Sequence, residues 1–146
     1  MKSPLDSQSY ERWLVDSCYY EDSSLIIEVI GGVTSGKMQD VDLGKGELIE
    51  GVYPVEAIGP KYSVIFEDVI FFQVFDECAH RNHEDQIRED GVIGRLSKSS
   101  LLDYLILETK VMVNSPGELM HVELRTGDDW YHVITREYPK VLSNDT

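Results

Sequence analysis

The stretch that decides the fold is residues 119–136, which read LMHVELRTGDDWYHVITR. Before its turn, one face carries Met120, Val122 and Leu124, and the other carries His121, Glu123 and Arg125. Residues 126–129 are typical of a hairpin turn, and residues 130–136 return as the partner strand. Because a period of two is the signature of a strand, this stretch predicts an antiparallel pair.

Residues 24–30 continue the same pattern towards the N-terminus. Leu25, Ile27 and Val29 share one face, and Glu28 lies on the other. Further strands are predicted at residues 37–43, 52–58 and 91–97. Residues 10–20 fit either one or two helical turns or an opening strand, and both alternatives stay open.

The most apolar part of the chain is residues 62–67 and 69–76, which are rich in Val, Ile and Phe. Near-continuous apolar strands are typically buried on both faces. We therefore expect one long bent strand or two adjoining strands at the centre of the sheet.

One helix is predicted, and it begins at Ser99 and Ser100. Ser100 followed by Asp103 fits a capping box. One helical face then carries Leu101, Leu102 and Leu105. From Thr109 the pattern changes to a period of two, so the helix is expected to be short, near residues 99–107.

These elements amount to seven to nine short strands and one short helix. Strands do not alternate with long helices, which argues against a parallel α/β sheet. We expect a mainly β (β-rich α+β) protein, built as an antiparallel sandwich or a partly closed barrel. The length of 146 residues fits a single domain, residues 1–146.

Charge narrows the choice of partners. The chain has 13 Lys and Arg against 27 Asp and Glu, a formal net charge of −14 that is spread along the sequence. Such a surface repels nucleic acid and anionic lipid and attracts basic proteins or cations. No apolar run approaches the roughly 20 residues that span a bilayer. A cytoplasmic protein is expected, and whether Cys18 and Cys78 pair stays open.

The segment Gly31–Met38 matches the phosphate-binding loop G-x-x-x-x-G-K-[ST] except at its last position. Met38 lacks the hydroxyl that would ligate Mg²⁺. Asp40 and Asp42 follow where a helix should begin, and their charges would repel a triphosphate. We interpret the segment as a hairpin turn that uses glycine where a positive φ is needed.

The polar segment 76–90 is the predicted contact surface, since long polar loops on β scaffolds often carry binding function. The residues expected to bind a basic partner are Asp76, Glu77, Glu84, Asp85, Glu89 and Asp90. His80 and His83 accompany them, but the spacing fits neither a standard zinc site nor a calcium loop. No metal and no cofactor are therefore predicted.

An alternative polar site consists of His121, Glu123 and His132. The hairpin should bring the two histidines together, and with Glu123 they could form an acid–base site of the kind that cleaves phosphodiesters. A polyanionic substrate would be repelled by this protein. Hydrogen-bonded structural histidines are the more ordinary interpretation, and no catalytic residue is assigned.

An ordered series of short motifs adds a resemblance over roughly half of the chain. It runs through residues 71–74 (FFQV), Asp76-Glu77, residues 97–104 (SKSSLLDY), Thr109, residues 121–122 (HV) and residues 130–135 (WYHVIT). The series is similar to small acidic bacterial proteins without assigned activity, some of which look like immunity proteins of polymorphic toxin systems. The resemblance implies a bacterial cytosolic protein that acts by recognition, and it implies no catalytic residues.

Three functional expectations result. The first is a protein-binding module, including an immunity-type protein that neutralises a basic toxin domain by charge complementarity. The second is a small-ligand binder or hydrolase that uses a barrel interior with His121, Glu123 and His132. The third is a homodimer that pairs exposed strand edges.

Overall fold

The structure is a computed structural model that describes residues 3–8, 10, 12–42, 44, 46–78, 86–114 and 117–144. In chain order its elements are β1 (Arg12–Glu21), β2 (Ser24–Thr34), β3 (Gln39–Asp42), β4 (Leu48–Val52), β5 (Val55–Phe66), β6 (Val69–Asp76), β7 (Ile87–Arg88), β8 (Ile93–Lys98), α1 (Ser100–Glu108), α2 (Val111–Asn114), β9 (Met120–Arg125), β10 (Asp129–Thr135) and β11 (Lys140–Ser143). The predicted β-rich sandwich is confirmed, and its sheets do not close into a barrel.

Two antiparallel sheets face each other. The first sheet has the strand order β1-β2-β5-β11, and the second sheet has the order β6-β10-β9-β8-β7. β3 and β4 form a small hairpin between β2 and β5 in the chain. The described residues include eleven strands, more than the expected seven to nine, because the short strands β7 and β11 have no clear periodic pattern.

The main core lies between the two sheets. Leu25, Ile27 and Val29 of β2 are fully buried, which confirms the face predicted for residues 24–30. Across the sandwich they meet the apolar face of the β9–β10 hairpin, including Val122 and Val133. The alternation in residues 24–30 and in residues 119–136 therefore has one cause, because each strand places every second side chain in the same core.

β1 settles the open question at residues 10–20 in favour of a strand. It pairs with β2 from Arg12 opposite Gly32 to Glu21 opposite Ser24. Asp22 and Ser23 between them both have positive φ, at 50° and 63°. A two-residue loop with both residues in that conformation matches the twist of antiparallel strands.

The expectation for residues 62–76 is partly wrong. Residues 62–67 largely belong to β5, which lies inside the first sheet between β2 and β11. β6, which was expected at the centre, is the terminal strand of the second sheet in the part of the chain that is described. Its apolar side chains serve two cores, since Val69 and Phe72 join the main core and Phe71 packs beneath the helices.

The segment Gly31–Thr34 continues β2 and begins no helix, as expected from its chemistry. The glycine there serves close packing, because its φ is not positive. A Cβ on Gly31 would lie 2.9 Å from the ring of Tyr10, and one on Gly59 would lie 2.7 Å from Cα of Gly31. The predicted turn with a positive φ at this position is therefore wrong.

Helix α1 covers the outer face of the second sheet, where Leu105 packs with Leu119 and Ile134. The helix ends at Glu108, one residue beyond the expected end, and Val111–Asn114 form the short helix α2 where a period-two pattern was expected. The N-cap of α1 is Ser99, one residue before the expected Ser100, and the hydroxyl of Ser99 accepts a hydrogen bond from the Leu102 amide at 3.0 Å. This shift places Ser99 against the sheet, where it is 5% exposed.

Candidate functional site

The predicted contact residues that the structure describes lie towards one end of the second sheet, on its two opposite edge strands. Asp76 ends β6 and lies opposite Asp129 at the start of β10, and the Glu77 amide donates to the Asp128 carbonyl at 3.0 Å. Asp76, Glu77 and Asp128 are exposed. Because adjacent antiparallel strands alternate in direction, β6 ends where β10 begins.

The turn between β7 and β8 reaches the same end of the sheet, since Ile93 at the start of β8 lies opposite Leu124 near the end of β9. This turn carries Glu89 and Asp90, both exposed. Glu89 also accepts a hydrogen bond from the Arg95 amide at 2.8 Å, which fixes its carboxylate. The two pairs of contact residues therefore lie on opposite edges of the sheet, with β10, β9 and β8 between β6 and β7.

We use the name acidic end for the exposed carboxylates at this end of the sheet: Asp76, Glu77, Glu89, Asp90 and Asp128. Glu84 and Asp85, which were predicted as contacts, and His80 and His83 lie outside the described residues. Asp128 was not among the predicted contacts, because it was interpreted only as part of a turn.

Basic side chains are also present at this end. Arg12 lies 3.9 Å from Glu77, with both side chains about half exposed. It lines a shallow cleft of about 240 Å³ together with Trp13, Arg125 and Gly127. An exposed ion pair of this length contributes little to stability, so Glu77 remains available to a partner.

The alternative polar site is a buried chain of hydrogen bonds on the outer face of the second sheet. His121 Nε2 lies 2.8 Å from His132 Nδ1, and His132 Nε2 lies 3.4 Å from Oε2 of Glu123. At the other side, His121 Nδ1 lies 2.5 Å from the hydroxyl of Ser99. The hairpin register explains this convergence, because His132 is directly opposite Glu123 and His121 is two pairs away on the same face.

Two arginines neutralise Glu123 inside the protein. Arg88 Nε lies 2.7 Å from Oε1, and Arg125 Nε lies 2.5 Å from the same oxygen. Arg88 reaches Glu123 by crossing Gly94, which lies between them on β8. A Cβ on Gly94 would lie 2.6 Å from Cζ of Arg88, so only glycine leaves room for the guanidinium.

The protonation states of Glu123 and His121 follow from their surroundings. Burial by itself would raise the pKa of Glu123, but the hydrogen bond and charge of Arg125 and the charge of Arg88 outweigh it and lower the pKa. Burial, together with the nearby His132 and Arg88, lowers the pKa of His121 to about 4, against the opposing effect of Glu123. At neutral pH, Glu123 is therefore ionised and His121 is neutral.

Access decides what this arrangement can do chemically. His121 and Glu123 are each 1% exposed and His132 is 5% exposed. The larger cleft nearby, about 480 Å³, is lined by Leu96, Leu102 and Leu119 among others, and none of the three polar residues lines it. The groups have the contacts of an acid–base relay, but the described residues cover all three side chains almost completely.

Sequence reasoning missed Ser99 and Arg88 as members of the buried chain. Ser99 had one available signal, since it stands immediately before the predicted helix and is a strong N-cap residue. Arg88 had none, because its segment has no periodic pattern and its partner is 35 residues away. Cys18 and Cys78 are free and exposed, which answers the question of their pairing.

Two absences concern only the part of the chain that the structure describes. There, no helix is both long and apolar enough to cross a bilayer, and no three His, Cys, Asp or Glu side chains are grouped to hold a metal ion. Comparisons with protein-family models, with curated proteins and with solved structures give no match.

Proposed function

We propose that this protein is a recognition module that binds a basic protein domain through the acidic end. The observation that carries the proposal is the exposure of all four described contact residues, with Asp76 and Glu77 on one edge of the second sheet and Glu89 and Asp90 on the other. The net charge of −14 means that the whole protein, and not only the acidic end, attracts a basic partner. Contacts built on strand ends keep their geometry better than contacts on a free loop.

The proposed mechanism has two steps. Long-range attraction first raises the rate of encounter, and complementary charge can bring association to about 10⁸–10⁹ M⁻¹s⁻¹ at low salt. The carboxylates of the acidic end then form ion pairs with basic side chains on the partner. If those side chains normally hold substrate phosphates, the partner is blocked without any reaction.

An immunity-type role in the bacterial cytoplasm is the finer form of the proposal. It rests on the resemblance of residues 69–77 and 97–135 to small acidic bacterial proteins, and on the charge. The target would then be a basic toxin domain, most directly one encoded beside the gene for this protein.

The test measures association of this protein with the basic domain encoded next to its gene, at low and at high salt. The test variant combines Asp76→Asn, Glu77→Gln, Glu89→Gln and Asp90→Asn, which removes four charges and keeps hydrogen-bonding groups. The matched control combines Glu47→Gln, Glu50→Gln, Glu56→Gln and Glu108→Gln, four exposed carboxylates elsewhere on the protein.

We expect the test variant to associate about tenfold more slowly at low salt than the control variant, with a smaller difference at high salt. Equal slowing by the two variants would show that only net charge matters and that the acidic end is not the contact. Absence of binding to that domain at any salt would remove the immunity-type form of the proposal.

A further inference from the structure

The direction of every hydrogen bond in the buried chain follows from Glu123. Its carboxylate, ionised between Arg88 and Arg125, can only accept. When His132 carries a single ring proton, that proton lies on Nε2, which faces the carboxylate at 3.4 Å, and Nδ1 accepts from Nε2 of His121.

The same argument gives the direction of the hydrogen bond between His121 and Ser99, the N-cap of helix α1. With its proton on Nε2, a neutral His121 has a lone pair on Nδ1, and only the Ser99 hydroxyl can donate to it. The oxygen of Ser99 meanwhile accepts from the Leu102 amide. One orientation thus gives Ser99 and both histidines a partner at each of these positions, from the first turn of α1 to the centre of the second sheet.

We propose that the buried series Ser99, His121, His132 and Glu123 acts as an acid-sensitive latch. Uptake of one proton by the His121–His132 pair reverses the Ser99–His121 hydrogen bond, and this destabilises the N-terminus of helix α1. The proton count gives the reason. A neutral pair carries two ring protons and a cationic pair carries three, so Nδ1 of His121 becomes a donor.

Ser99 then has to accept from His121 and from Leu102 at once. Its own hydroxyl proton loses its acceptor at a site that is 5% exposed. A buried donor without a partner destabilises the arrangement that holds it. The N-cap is therefore weakened by protonation at a ring that the N-cap residue itself contacts.

Side chains from each element that packs against the His121–His132 pair influence how readily the pair binds an extra proton. On β9, Glu123 attracts it and Arg125 repels it, and Arg88 on β7 repels it as well. Uncharged neighbours among the described residues are Ser99 before α1, Leu96 on β8, and Gln73 and Phe75 on β6, the ring of Phe75 packing edge-on against His132 at 5.7 Å. Burial and the nearby cations together oppose protonation of His121 more than Glu123 favours it, in line with the low pKa of His121.

The first test identifies the tautomers by nitrogen NMR of the histidine rings, in a chain where His80 and His83 are replaced by Gln. At neutral pH we expect both His121 and His132 to carry their proton on Nε2. A proton on Nδ1 of either ring would overturn the proposed direction of the chain, and with it the latch.

The second test follows hydrogen exchange of the α1 amides, beginning with Leu102, while the pH is lowered through protonation of the pair. We expect their protection factors to fall by about tenfold, the equivalent of one lost hydrogen bond. Amides of Ile27 and Val29 in the core exchange through global unfolding, and they should keep larger protection factors than Leu102 at every pH. Equal protection factors for Leu102 and the core amides would show that α1 opens only by global unfolding, which would overturn the latch.

Two variants separate the latch from a general acid effect. Ser99→Ala should exchange rapidly at Leu102 at every pH, with no further loss on protonation of the histidines. Ser99→Thr keeps the hydroxyl and should behave as the native chain. If Leu102 in Ser99→Ala retains the pH response of the native protein, Ser99 does not transmit the protonation.

Discussion

The Nε2 atom of His121 lies 2.8 Å from Nδ1 of His132, in a place where neither ring is more than 5% exposed. The pair links Ser99 at the start of α1 to Glu123 in the centre of the second sheet. A buried polar chain of this kind stabilises a protein only when every member is satisfied. Changes to its members should therefore have large effects.

Acid should destabilise the protein through His121. In the unfolded chain this histidine binds a proton near its usual pKa of 6.5, but in the folded protein it does so only at about 4. Between these values the unfolded state binds more protons, so stability is complete above the upper pKa and falls as the pH drops to the lower one. We expect a loss of about 3 kcal/mol from this group across the window.

Urea unfolding at several pH values measures this loss. His121→Asn serves as the comparison, since it removes the titration while keeping a polar side chain. If the native protein and His121→Asn lose the same free energy between neutral pH and pH 4, the acid sensitivity originates elsewhere.

Gly94→Ala should be destabilising by about 2 kcal/mol, because the added methyl group would overlap the guanidinium of Arg88 and the carbonyl of Glu89. Gly36→Ala is the control, since a Cβ there meets nothing within 4 Å and its φ is not positive. Thermal or urea unfolding of the two variants gives the comparison. Equal stability of both would mean that Arg88 does not cross Gly94.

Ser99→Ala should cost about 1–2 kcal/mol, because it removes both the N-cap of α1 and the partner of His121. Ser100→Ala, one residue later and exposed, should change stability by less than about 0.5 kcal/mol. Chemical denaturation distinguishes the two. A larger loss in Ser100→Ala would place the cap at the position that the sequence pattern favours.

Glu123→Gln should cost about 3 kcal/mol, because it leaves Arg88 and Arg125 beside a buried neutral amide. Glu118→Gln is matched to it, since Glu118 also pairs with an arginine, Arg95 at 3.1 Å, but its side chain is 80% exposed. That control should lose at most about 0.5 kcal/mol. Similar losses for both carboxylates, measured by urea unfolding, would contradict the burial of the Glu123 pairs.

Local patterns predicted much of the sandwich. Period two in residues 24–30 and 119–136 gave β2 and the β9–β10 hairpin, and the leucine spacing gave α1. The meeting of His121 and His132 was also predictable, because a hairpin turn sets the cross-strand register of its own two strands. The strand β6 was misplaced, since an apolar run is compatible with a central strand or with an edge strand packed on both faces.

The sequence by itself determined which side chains share a face, because backbone geometry fixes that alternation residue by residue. Only the tertiary structure decided what covers each face. The N-cap residue of helix α1 contacts His121, and Arg88 crosses Gly94 to reach Glu123. These relationships join residues that are distant in the chain, so they depend on how the sheets and the helix pack, which no local pattern records.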